Sequence, residues 1–273
     1  SFFDLITLKA KNQVLKEKNG SFTEFYFTDL NTKITHKFNN RNYFNFSLFL
    51  NNDYLNNTEL YKYTNQIADI RSINKIQTIG SSISQTYIIN NNFSLKNNIG
   101  FTFYKNLFEN IDNSVYYDNK IDSKLLTSSS INDIYLQSNL DFTPNNKHYF
   151  KIGFEASHYI FNPGLEKNIE KNYTNGNQIE TTFGFKLNLS SNELNFYIED
   201  EYRISKKIYL NIGLRNSTYF EKNTYFNYLD HRISLKTILS KNFSLKANYT
   251  SITQFNHLIV NTYNGLDKEI WFC

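Results

Sequence analysis

In the stretch YIEDEYR, Glu199, Glu201 and Arg203 occupy alternate positions. Side chains two apart on an extended chain project to the same side, about 7 Å from one another. Two carboxylates so placed could act as an acid–base pair. With Arg203 continuing the row, the same residues also form a salt network in which each charge has a local partner, and this simpler reading is the one adopted. Other catalytic patterns are missing. His36, His148, His158, His231 and His257 are scattered, without an HExxH motif or paired metal-ligand spacing. No GxSxG elbow occurs, and the serines at 128–130 have no histidine placed to activate them. The single cysteine, Cys273, allows neither a disulfide framework nor a zinc site. No enzymatic activity, metal or cofactor is expected.

The elements that carry these charges are strands. In KNFSLKANYTSITQF, Phe243, Leu245, Ala247 and Tyr249 alternate with Ser244, Lys246, Asn248 and Thr250, giving one apolar and one wet face. The same period of two runs through YFNFSLFL, NNFSLKNNIGFTFYKN, HYFKIGFEASHYIF and KIYLNIGLRNS. No helical stripe competes with it. Short segments rich in turn formers, at 39–42, 90–92, 143–147, 205–207 and 240–242, join pairs of runs as tight hairpins. Longer polar stretches, at 51–73, 111–127, 163–192 and 221–227, alternate with them and read as loops. The expectation is an all-β, antiparallel up-and-down meander of roughly ten strands, with short turns at one end and long loops at the other.

Composition fits such a meander in a membrane. Among 273 residues there are 25 Phe and 21 Tyr but only 9 Gly and 2 Pro, so rings that favour strands supply much of the apolar content. The formal charge of +4 comes from 29 basic and 25 acidic residues without a concentrated basic run, which argues against a nucleic-acid partner. No apolar run is long enough for a transmembrane helix. A barrel needs none, because only alternate residues meet lipid and the mean hydropathy stays low. The chain contains no Met, and Ser1 is read as an internal position of a longer protein. No linker or composition shift divides 1–273, which is taken as one partial barrel domain.

Several motifs also resemble a known family. NELNFYIEDEYRISKKIYLNIGLRNSTYF, followed by YLDHRISLKTILSKNFSLKANYTSITQFNHL and a closing EIW, is similar to successive hairpins of TonB-dependent outer-membrane receptors of the Bacteroidetes type. FTDLNTKITHKFNNRNYFNFSLFLNNDYL resembles an earlier hairpin of the same barrel. His231 stands where the family usually has Pro. The resemblance implies a segment of a plugged barrel of roughly 22 strands. The plug and the TonB box would lie outside the segment. It also implies outer-membrane localisation, import of a large or scarce nutrient ligand, and energy from the TonB complex. A passive porin, or an outer-membrane barrel enzyme, is the alternative.

On that reading the apolar parity faces outer-membrane lipid. Glu199, Glu201, Arg203, Arg215 and Lys246 are lumen-facing candidates. Tyr61, Tyr63, Tyr116, Tyr117, Tyr173 and Tyr225 are candidate ligand-contacting loop residues, since exposed rings offer contact area at low entropic cost. Tyr43, Tyr104, Tyr149, Tyr159 and Tyr219, near strand ends, are expected to form interfacial girdles. Asp200 shares parity with Phe196, Ile198 and Tyr202, and calls for either a bulge or a place at the membrane interface. The partial barrel would expose two unpaired edges, so the segment expressed alone should aggregate.

Overall fold

A computed structural model describes residues 11–17, 19–117, 119–173, 177–183, 188–263 and 266–272. Thirteen strands are described: β1 (Gly20–Asn39), β2 (Asn42–Tyr63), β3 (Gln66–Ile88), β4 (Phe93–Tyr116), β5 (Asn119–Asn145), β6 (His148–Asn172), β7 (Asn177–Phe183), β8 (Leu189–Arg203), β9 (Ile208–Glu221), β10 (Thr224–Ser240), β11 (Phe243–Thr250), β12 (His257–Tyr263) and β13 (Leu266–Phe272). The first eleven form one antiparallel meander in which each strand pairs with the next. The exception is at β6, where β7 pairs with Glu166–Asn172 and β8 with His148–Phe161. Among the described residues β1 and β11 are paired along one side only, and β12 and β13 form a separate hairpin. Cys273 and parts of the 111–127 and 163–192 stretches lie outside the described residues.

The five short turns fall where the sequence places them, all at one end of the sheet. Each is closed by a side-chain oxygen. Asn39 Oδ1 accepts from the Arg41 N–H at 2.9 Å. Asn90 Oδ1 accepts from Asn92 and Phe93, and Asn145 Oδ1 from Lys147 and His148. Ser205 Oγ accepts from Lys207 and Ile208, and Ser240 Oγ from Asn242. Asn and Ser satisfy turn backbone in this way without Gly or Pro, which accounts for the scarcity of both.

The register sorts side chains into two faces. Ile83, Ile99, Ile134, Ile152, Phe196, Ile212, Leu235 and Leu245 share one face and are 42–59% exposed, so neither a second sheet nor a helix covers them. Rows of bare Ile, Leu and Phe across a whole sheet require an apolar solvent. Towards the far end this face turns polar, through Asn52, Gln77, Asn192 and Asn216.

Three expectations are corrected or resolved by this arrangement. First, the long polar stretches are not loops: β2 to β6 run 22 to 27 residues each, and strand pairing continues as far as the pairs Tyr63 with Gln66 and Tyr116 with Asn119. Beyond the apolar belt both faces meet water, so alternation disappears from the sequence while the backbone ladder goes on. Second, Tyr43, Tyr104, Tyr149, Tyr159 and Tyr219 do not form an outward girdle. They lie on the polar face, opposite Thr86, Thr78, Glu201, Asp133 and Glu193 respectively. The outward rings at the short-turn end are others, including Phe38 against Phe44 at 5.3 Å, Phe93 on Phe142 at 4.3 Å, and Phe150 and Tyr202 on either side of His148. Third, Asp200 sits within that ring band. β8 pairs with β6 and β9 without a register shift, so no bulge turns it inward. Instead its Oδ2 lies 2.8 Å from His148 Nδ1.

A short helix, α1 (11–17), leans against the far end of β1. Lys11 Nζ donates to Glu24 and lies 5.6 Å from the Phe22 ring centre. The hydrogen bond from Lys11, aided by that from Asn56 Nδ2, holds the Glu24 carboxyl below the usual carboxylate range. A depressed folded-state value stabilises docking above the ordinary carboxylate range, and that contribution is lost as pH falls through the folded value. Protection factors of the amides at 11–17, which normalise for the intrinsic slowing of exchange in acid, should therefore fall as pH is lowered, and Glu24→Gln should flatten the response. Wild-type protection factors that do not change with pH would contradict the assignment.

Candidate functional site: the polar face and the hairpin tips

Glu199, Glu201, Arg203, Arg215 and Lys246 share the polar face of β8, β9 and β11. Near the short turns a groove of about 720 Å³ is lined by Glu199, Glu201, Arg203, Tyr209, Arg232, Lys236 and Lys246. The expected Glu199–Glu201–Arg203 network does not form. Arg203 instead places its guanidinium 5.8 Å from the Tyr209 ring centre, and Lys236 Nζ approaches the same ring at 6.0 Å. Lys246 lies directly opposite Lys236, two like charges side by side.

The partner of Glu199 comes from two strands away. Glu199, Gly213 and Arg232 are successive neighbours across β8, β9 and β10. A Cβ on Gly213 would lie 2.9 Å from Arg232 Cγ, so the glycine leaves the trough along which Arg232 reaches Glu199 at 3.7 Å. Asn211 Nδ2 donates to the other oxygen of Glu199 at 2.6 Å. Both carboxylate oxygens of Glu199 are thus tied into the wall, one by Asn211 and the other facing Arg232. Arg215 joins a separate cluster, donating to Asn195 Oδ1 at 3.2 Å with Glu155 and Glu193 at 3.7 and 3.6 Å.

Two tyrosines lie flat over glycines on this face. Tyr197 in β8 faces Gly153 in β6, where an added Cβ would come within 2.0 Å of the ring, and its hydroxyl donates to Asn139. Tyr135 covers Gly100 in the same way. The segment after β11 also turns onto the polar face. Asp230 accepts from the Thr253 N–H and hydroxyl at 3.2 and 2.9 Å, and Phe255 stacks on Tyr219 at 4.8 Å. Beyond it β13 comes close to β3 through β6.

At the far end, three adjacent hairpin tips bring together four of the six tyrosine candidates. Tyr63 and Tyr116 flank Gln66 across the ladder. Tyr117 meets Tyr116 edge-on at 4.8 Å, and its N–H donates to Asn65 O. Tyr173 receives Lys120 Nζ 4.6 Å from its ring centre, and hydrogen bonding to Asp122 pushes its hydroxyl pKa up. Tyr61 lies two positions below Tyr63 and donates to Glu59 at 2.7 Å, which raises its pKa likewise. Both phenols therefore stay neutral donors at physiological pH. Tyr225 stands apart, on β10.

Among solved structures, the RagAB peptide importer in its open-open state matches 93% of this chain and 36% of its own at 11% identity, with a TM-score of 0.56. The RagAB peptide transporter matches 92% and 36% at 10% identity and 0.51. BauA, the ferric preacinetobactin receptor of Acinetobacter baumannii, matches 84% and 46% at 9% identity and 0.44. The fold is that of an outer-membrane β-barrel wall. This wall spans 36–46% of the length of those chains. No family model matches the sequence, and no curated protein does.

Sequence reasoning placed the five charged residues on one parity but missed their partners. Arg232, Gly213 and the Tyr–Gly pairs depend on which strands are neighbours and in what register. The one signal available was glycine recurring on the polar parity, at Gly100, Gly153 and Gly213.

Proposed function

We propose that this chain forms part of the barrel wall of a TonB-dependent outer-membrane receptor, which binds a large or scarce nutrient and imports it actively. The observation that carries the proposal is the asymmetry of the sheet. A bare apolar face spans every long strand opposite a charged one, and rigid hairpins rise beyond the belt at one end only. The motif order from Asn192 to Trp271 supports the receptor over a simple pore. The tips with Tyr61, Tyr63, Tyr116, Tyr117, Tyr173 and Tyr225 make first contact with the nutrient. Glu199, Glu201, Arg203, Arg215 and Lys246 line the lumen. The TonB complex acts through a region outside this chain.

Planar-bilayer conductance and uptake by cells with and without a working TonB complex test this on the full-length protein. Expected are a closed barrel in the bilayer and uptake that stops when TonB is lost. A steady open pore, or uptake indifferent to TonB, would replace the receptor with a passive porin.

A further inference from the structure

We infer that the short-turn rim of the wall is a binding surface for anionic phospholipid headgroups; this rests on the membrane reading above. The turns carry Arg41, Lys147, Lys206, Lys207 and Lys241, all exposed, and contain no Asp or Glu. None of these five has a carboxylate within 4.0 Å among the described residues. At the far end several cations are paired, Lys120 with Asp122, Lys124 with Glu109 and Arg71 with Asp69, and the exposed Lys62 and Lys222 stand beyond the ring band. Cations left unpaired along one rim must find counter-charge elsewhere.

Their surroundings indicate the source. On the outward side of each turn stands a residue of the ring band or an exposed aliphatic: Phe38, Phe93, Phe150, Tyr202 and Phe243, with Ile89, Ile204 and Leu239 at 41%, 40% and 54% exposure in or beside the turns. A headgroup phosphate at this level meets the cation while its acyl chains lie against the rings and aliphatics, a combination that a soluble anion cannot use. Asp200, the acid on the outward side of the band, has its Oδ2 engaged by His148 Nδ1 at 2.8 Å.

The full-length protein in phosphatidylcholine bilayers, probed with spin-labelled phosphatidylglycerol and spin-labelled phosphatidylcholine, tests the inference. The wild type should prefer phosphatidylglycerol in its motionally restricted shell by about five-fold, the ratio equivalent to the ~1 kcal/mol of one cation near an anionic surface. Combined Arg41→Gln, Lys147→Gln, Lys206→Gln, Lys207→Gln and Lys241→Gln should bring the ratio close to one. Lys62→Gln with Lys222→Gln, at the far end, should leave it unchanged. Should the five-fold variant fail to insert, the wild-type preference must still decline as salt is raised, and a salt-independent ratio would overturn the inference. Equal restriction of both lipids by the wild type would also overturn it while leaving the membrane reading intact. Absence of any restricted lipid would remove both. Competition by inorganic phosphate as effective as that by the lipid would show a free-anion site instead.

Discussion

An arginine in place of Ile99 should destabilise the barrel in a bilayer by roughly 2–4 kcal/mol, the cost of a cation on the lipid face near the midplane. An arginine in place of the adjacent Asn98 should cost far less. The two positions differ by one residue on β4, but Ile99 lies between Ile83 and Leu136 on the apolar face, whereas Asn98 lies between Ser84 and Gln137 on the polar one. Ile99 is 49% exposed, with hydrocarbon as its only suitable neighbour. Folding of the full-length protein into liposomes, followed by heat-modifiable gel mobility, reads the difference directly. Equal tolerance of both arginines would mean that the apolar face does not meet lipid.

The second large effect is expected at Gly153. Alanine there places a methyl group within 2.0 Å of the Tyr197 ring, so the ring must leave the wall and lose its hydrogen bond to Asn139. Overpacking of this kind costs about 1–3 kcal/mol. Tyr197→Ser removes the obstacle, so the double variant should be more stable than the sum of the single effects implies, with a coupling of roughly 0.5–3 kcal/mol. Denaturant titrations of the four proteins of the cycle in detergent supply the numbers. Additive effects would show that the ring does not lie on the glycine.

Both predictions depend on register, and register marks the boundary of what the sequence discloses. Alternation at Ile208, Leu210, Ile212 and Leu214 announces a strand and its two faces, because lipid demands apolar residues at every second position. The short turns are equally legible, since Asn39, Asn90 and Asn145 must cap backbone locally. Above the belt the demand ends. Asn110 to Tyr116 and Asn119 to Lys124 show no apolar alternation, yet their backbone ladder continues, joined by polar contacts such as Lys124 with Glu109 that depend on the register. The girdle failed for a related reason: tyrosine suits a polar wall as well as an interface, and only parity, which places Tyr149 beside Glu201, separates the two. Arg203 shows the same limit in the candidate site. Its nearest acids in sequence are not those its side chain meets, because Tyr209 on the next strand offers a ring at closer quarters.

The unbroken pairing of β4 with β5 from the belt to Tyr116 has a mechanical consequence. From Phe103 onward the strand climbs about 3.3 Å per residue, and at a tilt of some 40° it gains roughly 30 Å of height. Such a mast does not sag towards the mouth as a floppy loop could. Under the receptor reading proposed above, a nutrient held by the tyrosines would sit well above the headgroups, and its descent would have to come from handover between fixed stations along the shaft.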